Sequence, residues 1–385
     1  MGSRWLLRLG LLVLAGATWA AAPTEPRIPP GYQPADDRDE RGLWDELDEY
    51  EQSLRRSPLL VDDPQLNAYV RDVVCRIAGD YCPDLRVYVL RNPGFNAMMA
   101  PNGMMVVWTG LLIRVGSEDE LAAVVGHELA HYTMAHSLQQ FRHVRATMGL
   151  GTLLSTGVAV VTGVFAPIGE LAALLDALAF SRKQEAEADL LGARYLQAAG
   201  YDPRASYTVW ESLLAEEEAA VVARDEPLPF MRTHPAIRDR LQALQTWADA
   251  QPAPAARRTR QDRHRRVLTG LYFELMEDQI DTNRYGRTSF LLERHAELGV
   301  DPALIAFFRG EMYRQRAGDG DGERAAEAYL EAIKTGHAPP EAFRNLGYLK
   351  LKAGDRDTAR QLFSYYLALA PKASDRAMIE FYLEE

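Results

Sequence analysis

The chain has 385 residues, of which 47% are hydrophobic and 25% charged, a balance typical of a globular protein large enough for more than one domain. Its formal net charge of −11 argues against nucleic acid as a partner.

The first residues have the layout of a secretory signal. Arg4 and Arg8 precede a short apolar run that ends in small residues, so residues 1–20 are predicted to be a signal peptide that is removed on export. Residues 21–35 are rich in proline, and we expect them to form an extended lead-in without a packed core.

Helical patterning begins near Asp36 and ends at Gly79, and short strands follow it. The strings LRVYVL, NAMMA and MMVVWTG predict a small, largely antiparallel sheet, with a tight turn at Asn102-Gly103. Cys75 and Cys82 are the only cysteines, and in an oxidising compartment they are predicted to form a disulfide. Two unpaired buried thiols are the alternative.

Residues 127–131 read HELAH, which fits the pattern H-E-x-x-H of zinc proteases. A capping signal that begins at Ser117 predicts that a helix starts just before this motif. Residues four apart lie on one face of a helix, so His127 and His131 can bind one metal ion, while Glu128 is rotated toward the water on that ion. Two surface histidines on an amphipathic helix are the alternative, but the surrounding sequence is apolar.

A catalytic zinc takes three protein ligands and keeps one position for water. A second helix, predicted over FSRKQEAEADLLGARYLQAAGYDP, offers Glu185, Glu187 and Asp189. Glu185 and Asp189 are one turn apart on one face, and Glu187 points elsewhere. We therefore predict that Glu185 completes the metal site and that Asp189 orients a ligand histidine.

Residues 146–169 carry no charged side chain and are long enough to cross a bilayer. A single crossing would place His131 and Glu185 on opposite sides of the membrane, so the metal site excludes it. This stretch is instead expected to form a helical hairpin. Residues 146–180 either pack over the core of the metal-binding domain, the favoured alternative, or make peripheral contact with a membrane surface.

The sequence changes abruptly at residues 251–266, where proline, alanine and arginine predominate. We interpret this stretch as a linker with a solvated arginine face. Beyond it, Phe343, Leu346, Gly347 and the residues that follow have the spacing of a tetratricopeptide repeat, and a looser copy runs from about Ala306 to Ile333. A generic helical bundle is the alternative.

The strings GHELAH, SRKQEAEADLLG and MRTHPAIRDRL occur in the order seen in a known family. They resemble the zinc metallopeptidases typified by HtpX and the CAAX prenyl protease, and most closely their secreted, BepA-like branch with tetratricopeptide repeats. The resemblance covers roughly residues 40–248 and implies that Glu185 is the third ligand. His234, Pro235 and Arg240 match the family's H-P-x-x-x-x-R element, with Ile237 in place of its usual threonine.

The resemblance implies an α+β, predominantly helical fold. A gluzincin-type metalloprotease domain with a small antiparallel sheet would occupy residues 36–250. After the linker, residues 267–385 would form an all-α domain of tetratricopeptide-like repeats.

The predicted function is that of an exported, periplasmic zinc endopeptidase with one Zn²⁺ per chain and Glu128 as its general base. The resemblance implies clients that are unfolded or misassembled proteins of the cell envelope, with the repeats contacting them or the outer-membrane assembly machinery. A repeat-based chaperone or assembly scaffold with a mostly latent protease site is the alternative.

Two roles remain open for His234. It could donate a hydrogen bond to the oxyanion of the transition state. It could also serve as a fourth metal ligand that displaces the water and holds the enzyme closed. The second role, a latch, is the one we favour. Arg240 is expected to lie beside the ligands.

Overall fold

The computed structural model describes residues 26–35, 38–148, 180–221, 228–234, 237–252 and 257–384. The predicted signal peptide and residues 149–179, which include most of the predicted hairpin, lie outside these ranges. Among the described residues, none of the helices has both the length and the apolar composition that a membrane crossing requires.

The part of the chain up to Asp249 contains nine helices among its described residues. They are α1 (Arg38–Leu54), α2 (Pro64–Ala78), α3 (Thr109–Arg114), α4 (Glu118–Thr133), α5 (His136–Met148), α6 (Arg182–Ala198), α7 (Ala205–Ala219), α8 (Pro229–Thr233) and α9 (Ile237–Asp249). A short 3₁₀ helix, Gly79–Asp84, follows α2. It holds Cys82, which forms the predicted disulfide with Cys75.

Within the described ranges the sheet has three strands, β1 (Arg86–Leu90), β2 (Ala97–Met99) and β3 (Met104–Trp108), in the order β1-β3-β2. Strands β2 and β3 are antiparallel and are joined through the predicted turn, where Gly103 has a φ of 84°. Strand β1 instead runs parallel to β3. The chain passes through β2 between them, and β2 runs in the opposite direction, so β3 starts at the same end of the sheet as β1. The sheet is therefore mixed, and the antiparallel expectation holds for one of its two strand pairs.

Residues 26–35 do not form the unpacked lead-in that their proline content predicted. The backbone amides of Arg27 and Ile28 both donate to the carbonyl of Thr133 at the end of α4, at 2.9 and 3.0 Å. Tyr81 donates its hydroxyl to the carbonyl of Ile28, whose side chain is buried. These contacts fix the segment on the helix that carries the HELAH motif.

From Arg257 onward, the described part of the chain is helical. Its helices are α10 (Arg257–Thr269), α11 (Tyr272–Asp281), α12 (Tyr285–Glu297), α13 (Pro302–Arg316), α14 (Asp321–Lys334), α15 (Pro340–Lys352), α16 (Arg356–Leu369) and α17 (Arg376–Glu384). A single cluster of buried apolar side chains extends from Leu66 in α2 to Leu346 in α15. The region that carries the HELAH motif and the helices that follow it therefore share a core.

The interpretation of residues 251–266 as a solvated linker is wrong for its described part from Arg257 onward, which begins α10. Arg260 donates to Asp119 at 2.9 Å, and Arg263 lies 3.1 Å from Glu118. Both acids lie in the first turn of α4. Two of the arginines that suggested a solvated face, Arg260 and Arg263, therefore pair with buried carboxylates distant in sequence.

We expect Arg260→Ala to lower the free energy of unfolding by about 3 kcal/mol, because it leaves the buried Asp119 without its cation. Arg265→Ala on the same helix is the control. Arg265 pairs with Asp262 at an exposed position, and its loss should cost less than about 0.5 kcal/mol. Chemical denaturation of both variants measures the difference, and equal losses would contradict the structural role of Arg260.

Helices α13 and α14 form one pair, and α15 and α16 form another that is built in the same way. A Cβ on Gly310 would lie 2.5 Å from the ring of Tyr329, and a Cβ on Gly347 would lie 2.6 Å from the ring of Phe363. In both pairs a glycine on the first helix therefore allows an aromatic ring of the second helix to pack against its backbone. The two helix pairs therefore share one packing arrangement.

Candidate metal centre

Helix α4 carries the HELAH motif in the core of the protein. It begins after Ser117, whose hydroxyl accepts the amide of Glu120 at 3.2 Å, as the capping signal predicted. The carboxylate of Glu120 accepts the amide of Gly116, one residue earlier than a capping box requires. His127 and His131 lie one turn apart, and their Nε2 atoms are 3.1 Å apart.

Helix α6 lies directly against α4 because each helix has a glycine at the crossing. A Cβ on Gly126 would lie 2.9 Å from the carbonyl oxygen of Gly192, and one on Gly192 would lie 2.8 Å from the carbonyl carbon of Gly126. Any larger residue would push the helices apart. This close approach brings Glu185, in the first turn of α6, to the histidines of α4.

Glu185 is fully buried and lies next to both histidines. Its Oε1 is 3.4 Å from Nε2 of His131, and its Oε2 is 3.8 Å from Nε2 of His127. The helix that presents it is capped by Ser181 and Gln184, which satisfy each other's backbone amides. The structure thus brings together the three residues that the sequence predicted as metal ligands.

His234 joins this group from the end of α8. Its Nδ1 lies 3.0 Å from Oε1 of Glu185 and 3.2 Å from Nε2 of His127. Its ring stacks on Phe230, with 4.1 Å between the centroids. The two residues that follow His234 lie outside the described ranges, so the proline of the H-P-x-x-x-x-R element has no described position.

These four side chains have the donor atoms and the spacing of a zinc site. Three imidazole nitrogens and a carboxylate oxygen all lie within 4.8 Å of one another. Zinc bonds of about 2.0–2.1 Å in a tetrahedron place neighbouring donors about 3.4 Å apart, close to the separations seen here. Burial is the main cause that lowers the pKa of both His127 and His131, so their rings are neutral and available as ligands. The residues therefore fit the metal.

Asp189 and Arg240 lie immediately outside this group, as the sequence predicted. Oδ1 of Asp189 is 3.1 Å from Nδ1 of His127, the ring nitrogen opposite the cluster. Arg240 pairs with Oδ2 of Asp189 at 2.9 Å and also contacts Glu185. Burial lowers the pKa of Arg240 to about 9, so its guanidinium still carries a charge at neutral pH. Arg240 thus contacts the carboxylates of both Glu185 and Asp189 and holds them in place.

Glu128 is buried beside the cluster without belonging to it. Its Oε1 lies 3.5 Å from Nε2 of His234. Burial raises the pKa of Glu128 to about 7, against the opposing effects of His234 and the backbone N–H of Met99. A carboxyl group with a pKa near 7 can both accept and release a proton at neutral pH, which is the requirement for a general base and acid.

Sequence reasoning missed two aromatic neighbours of His131. Phe180 stacks on its ring with 3.8 Å between centroids, and His136 lies 3.0 Å from its Nδ1. His136 is five residues after His131, outside the one-turn spacing that identified the ligands. The signal that could have found it was an additional histidine in an apolar stretch next to the motif.

Known proteins are similar to the part of the chain that carries this group of side chains. The model of the family described as Peptidase family M48 matches residues 60–248. The mitochondrial metalloendopeptidase OMA1 of Schizosaccharomyces pombe is 34% identical over 182 residues, which cover 46% of this chain and 52% of that protein. The beta-barrel assembly-enhancing protease of Escherichia coli strain K12 is 27% identical over 303 residues, which cover 76% of this chain and 60% of that protein. The chain thus spans about half the length of the curated relatives it matches.

Proposed function

Because residues 60–248 belong to peptidase family M48, we propose that this metalloendopeptidase uses zinc to cleave unfolded or misassembled proteins of the cell envelope. The observation that supports this proposal best is the buried group formed by His127, His131, Glu185 and His234. His127, His131 and Glu185 would hold one zinc ion per chain. Glu128, which lies beside the group, would act on the substrate.

Bound there, zinc would polarise the scissile carbonyl and acidify a water molecule. Glu128 would take the proton from that water, because its pKa of about 7 lets it accept a proton at neutral pH. The same carboxyl would then pass the proton to the leaving amine. Asp189 would hold the ring of His127 in the orientation that points Nε2 into the site.

Strand β2 gives an extended substrate a place to bind. In the part of the chain that the structure describes, it is an edge strand, since β3 is its one partner in the sheet order β1-β3-β2. Met99, its last residue, hydrogen-bonds Glu128 through its backbone. A substrate that added beside β2 would make main-chain hydrogen bonds and would lie next to the general base. Such binding reads backbone more than side chains, which suits unfolded clients.

His234 would act as a latch. Its Nδ1 lies among the ligand atoms, where the water of a catalytic site must bind. As a fourth ligand it would keep the site closed until a client or partner moved the segment that carries it. The competing role, a hydrogen-bond donor to the oxyanion, would need the ring to leave the ligand group while substrate is bound.

His234→Ala should therefore cleave unfolded casein faster than the unchanged protein, because it frees the position for water. Arg232→Ala, an exposed residue of the same segment, is the matched control and should leave the rate unchanged. Initial rates are compared at equal zinc content. A His234→Ala protein that keeps its zinc but cleaves more slowly would reject the latch and favour the oxyanion donor.

Export to the periplasm and action on envelope proteins are supported by the signal-like residues 1–20 and by the name of the Escherichia coli relative. The C-terminal helices, interpreted as tetratricopeptide-like repeats in residues 267–385, would hold clients or the outer-membrane assembly machinery. The segment 146–180 would pack on the protease region or touch a membrane surface.

One observation favours the second candidate, a chaperone or assembly scaffold with a mostly latent site. Four large apolar side chains on α16 and α17 are about half exposed or more: Tyr365, Leu369, Met378 and Phe381. A surface of this kind suits protein binding. If His234→Ala protein loaded with zinc does not cleave casein, the scaffold becomes the better account.

A further inference from the structure

We propose that His136, supported by Glu187, is a positioning residue that orients His131 toward the metal. This inference rests on the proposed zinc site and assigns a role to two buried side chains that the ligand set does not use. Both residues would act on the metal through the ring of His131 and not on the substrate.

The contacts form a continuous chain of hydrogen-bonding atoms. Nδ1 of His136 lies 3.0 Å from Nδ1 of His131, and Nε2 of His136 lies 3.3 Å from Oε2 of Glu187. His136 is fully buried and Glu187 is nearly so. At the outer end, Lys183 on the surface lies 3.8 Å from the other oxygen of Glu187.

The valences of these atoms fix the direction of both hydrogen bonds. If His131 binds the metal through Nε2, the proton of its neutral ring is on Nδ1, which must donate. His136 must then accept at Nδ1, so its own proton is on Nε2, where it donates to Glu187. Each ring is held in the one tautomer that leaves Nε2 of His131 free to bind zinc.

The two ligand histidines are thus oriented in different ways. A carboxylate, Asp189, contacts Nδ1 of His127 directly, whereas His131 reaches its carboxylate through the ring of His136. Phe180 stacks on the ring of His131 and restricts its rotation. Partners of this kind outside the ligand set typically change metal affinity by 10- to 100-fold.

The backbone explains how His136 comes to this position. Ala135 has a φ of 54°, a left-handed conformation that separates α4 from α5. The chain turns there, and His136, the first residue of α5, is placed beside the last turn of α4. Its Nδ1 faces the outer nitrogen of His131, so His136 is a neighbour of the ligands rather than a ligand.

The test is the zinc dissociation constant of purified full-length variants, measured by competition with a chelator. His136→Phe removes the acceptor and should weaken zinc binding by about 10- to 100-fold. His136→Asn should stay within about threefold of the unchanged protein, because its Oδ1, like the histidine Nδ1, is bonded to Cγ and can accept the same hydrogen bond. The rescue by asparagine is a result that a purely structural role would not give.

Glu187, at the far end of this series of hydrogen bonds, provides an independent pair of variants. These variants decide the question if His136→Phe does not fold. Glu187→Leu removes the second acceptor and should weaken zinc binding by about tenfold, whereas Glu187→Gln keeps an acceptor oxygen and should bind zinc almost normally. His295→Phe is the matched control, since His295 is a buried histidine with two hydrogen bonds away from the metal site. It should leave zinc affinity unchanged.

Zinc binding by His136→Phe and Glu187→Leu as tight as that of the unchanged protein would overturn the positioning role. So would equal weakening by phenylalanine and asparagine at position 136. If the proposed zinc site itself were wrong, the unchanged protein would bind no zinc, and this result is distinct from loss of the positioning role alone.

Discussion

Glu128→Gln is expected to keep its fold and its zinc while losing about 10²- to 10⁴-fold of its rate of proteolysis. Glutamine has nearly the same shape as glutamate, and its amide oxygen can still accept the hydrogen bond from the backbone of Met99. It cannot take a proton from water. The loss should therefore fall on the chemical step and not on the binding of metal.

Casein cleavage measures this loss, preferably in the His234→Ala background where the proposed latch is open. Glu49→Gln, an exposed change on α1, is the control and should have no effect. The inactive form should also retain clients that the active form destroys, so proteins captured by Glu128→Gln would identify the substrates. Cleavage by Glu128→Gln at the normal rate would refute the assigned general base.

Glu185→Gln is expected to lose zinc. Its neutral amide is a poor ligand for the ion, and the change also removes the carboxylate that Arg240 contacts in the buried site. We expect the affinity for zinc to fall by more than about 100-fold, beyond the range typical of residues that only support a ligand. Proteolysis should be lost along with the metal.

Metal analysis of the purified variant tests this expectation, with Glu187→Gln as the control two residues away. Glu187 does not belong to the ligand group, and its glutamine variant should retain zinc. If Glu187→Gln lost the metal and Glu185→Gln kept it, the assignment of the third ligand would be wrong.

The parts of the site that could be predicted from the sequence follow from the period of the α-helix. The spacing of His127 and His131 placed both rings on one face, and the same rule chose Glu185 and Asp189 and set Glu187 apart. The structure brings His127, His131 and Glu185 together and places Asp189 beside His127. These are local relations within a helix, so one sequence is sufficient to find them.

The remaining parts depend on contacts between distant segments. Gly126 and Gly192 allow α4 and α6 to touch, but neither glycine shows its partner in the sequence. His136 reaches His131 because Ala135 adopts a left-handed conformation. An alanine rarely adopts this conformation, so the sequence does not predict it. Glu187 does point away from the metal, as predicted, but it points to His136.

The linker was misjudged for a related reason. A run rich in arginine, proline and alanine is usually solvated, and its composition gave no sign that Arg260 would meet Asp119 in the metal-bearing helix. Strand β1 presents the same difficulty, because strand direction depends on the path of the connection and not on the residues of the strand. The packing of residues 257–266 and the direction of β1 both depend on segments elsewhere in the chain.

The proposed zinc centre is formed by His127, His131 and Glu185, with His234 as the fourth ligand of the closed enzyme. Diffraction from crystals of the protein at the zinc absorption edge would locate the ion. We expect one anomalous peak per chain, next to Nε2 of both α4 histidines, the carboxylate of Glu185 and Nδ1 of His234. A missing peak, or a peak elsewhere in the protein, would refute this assignment.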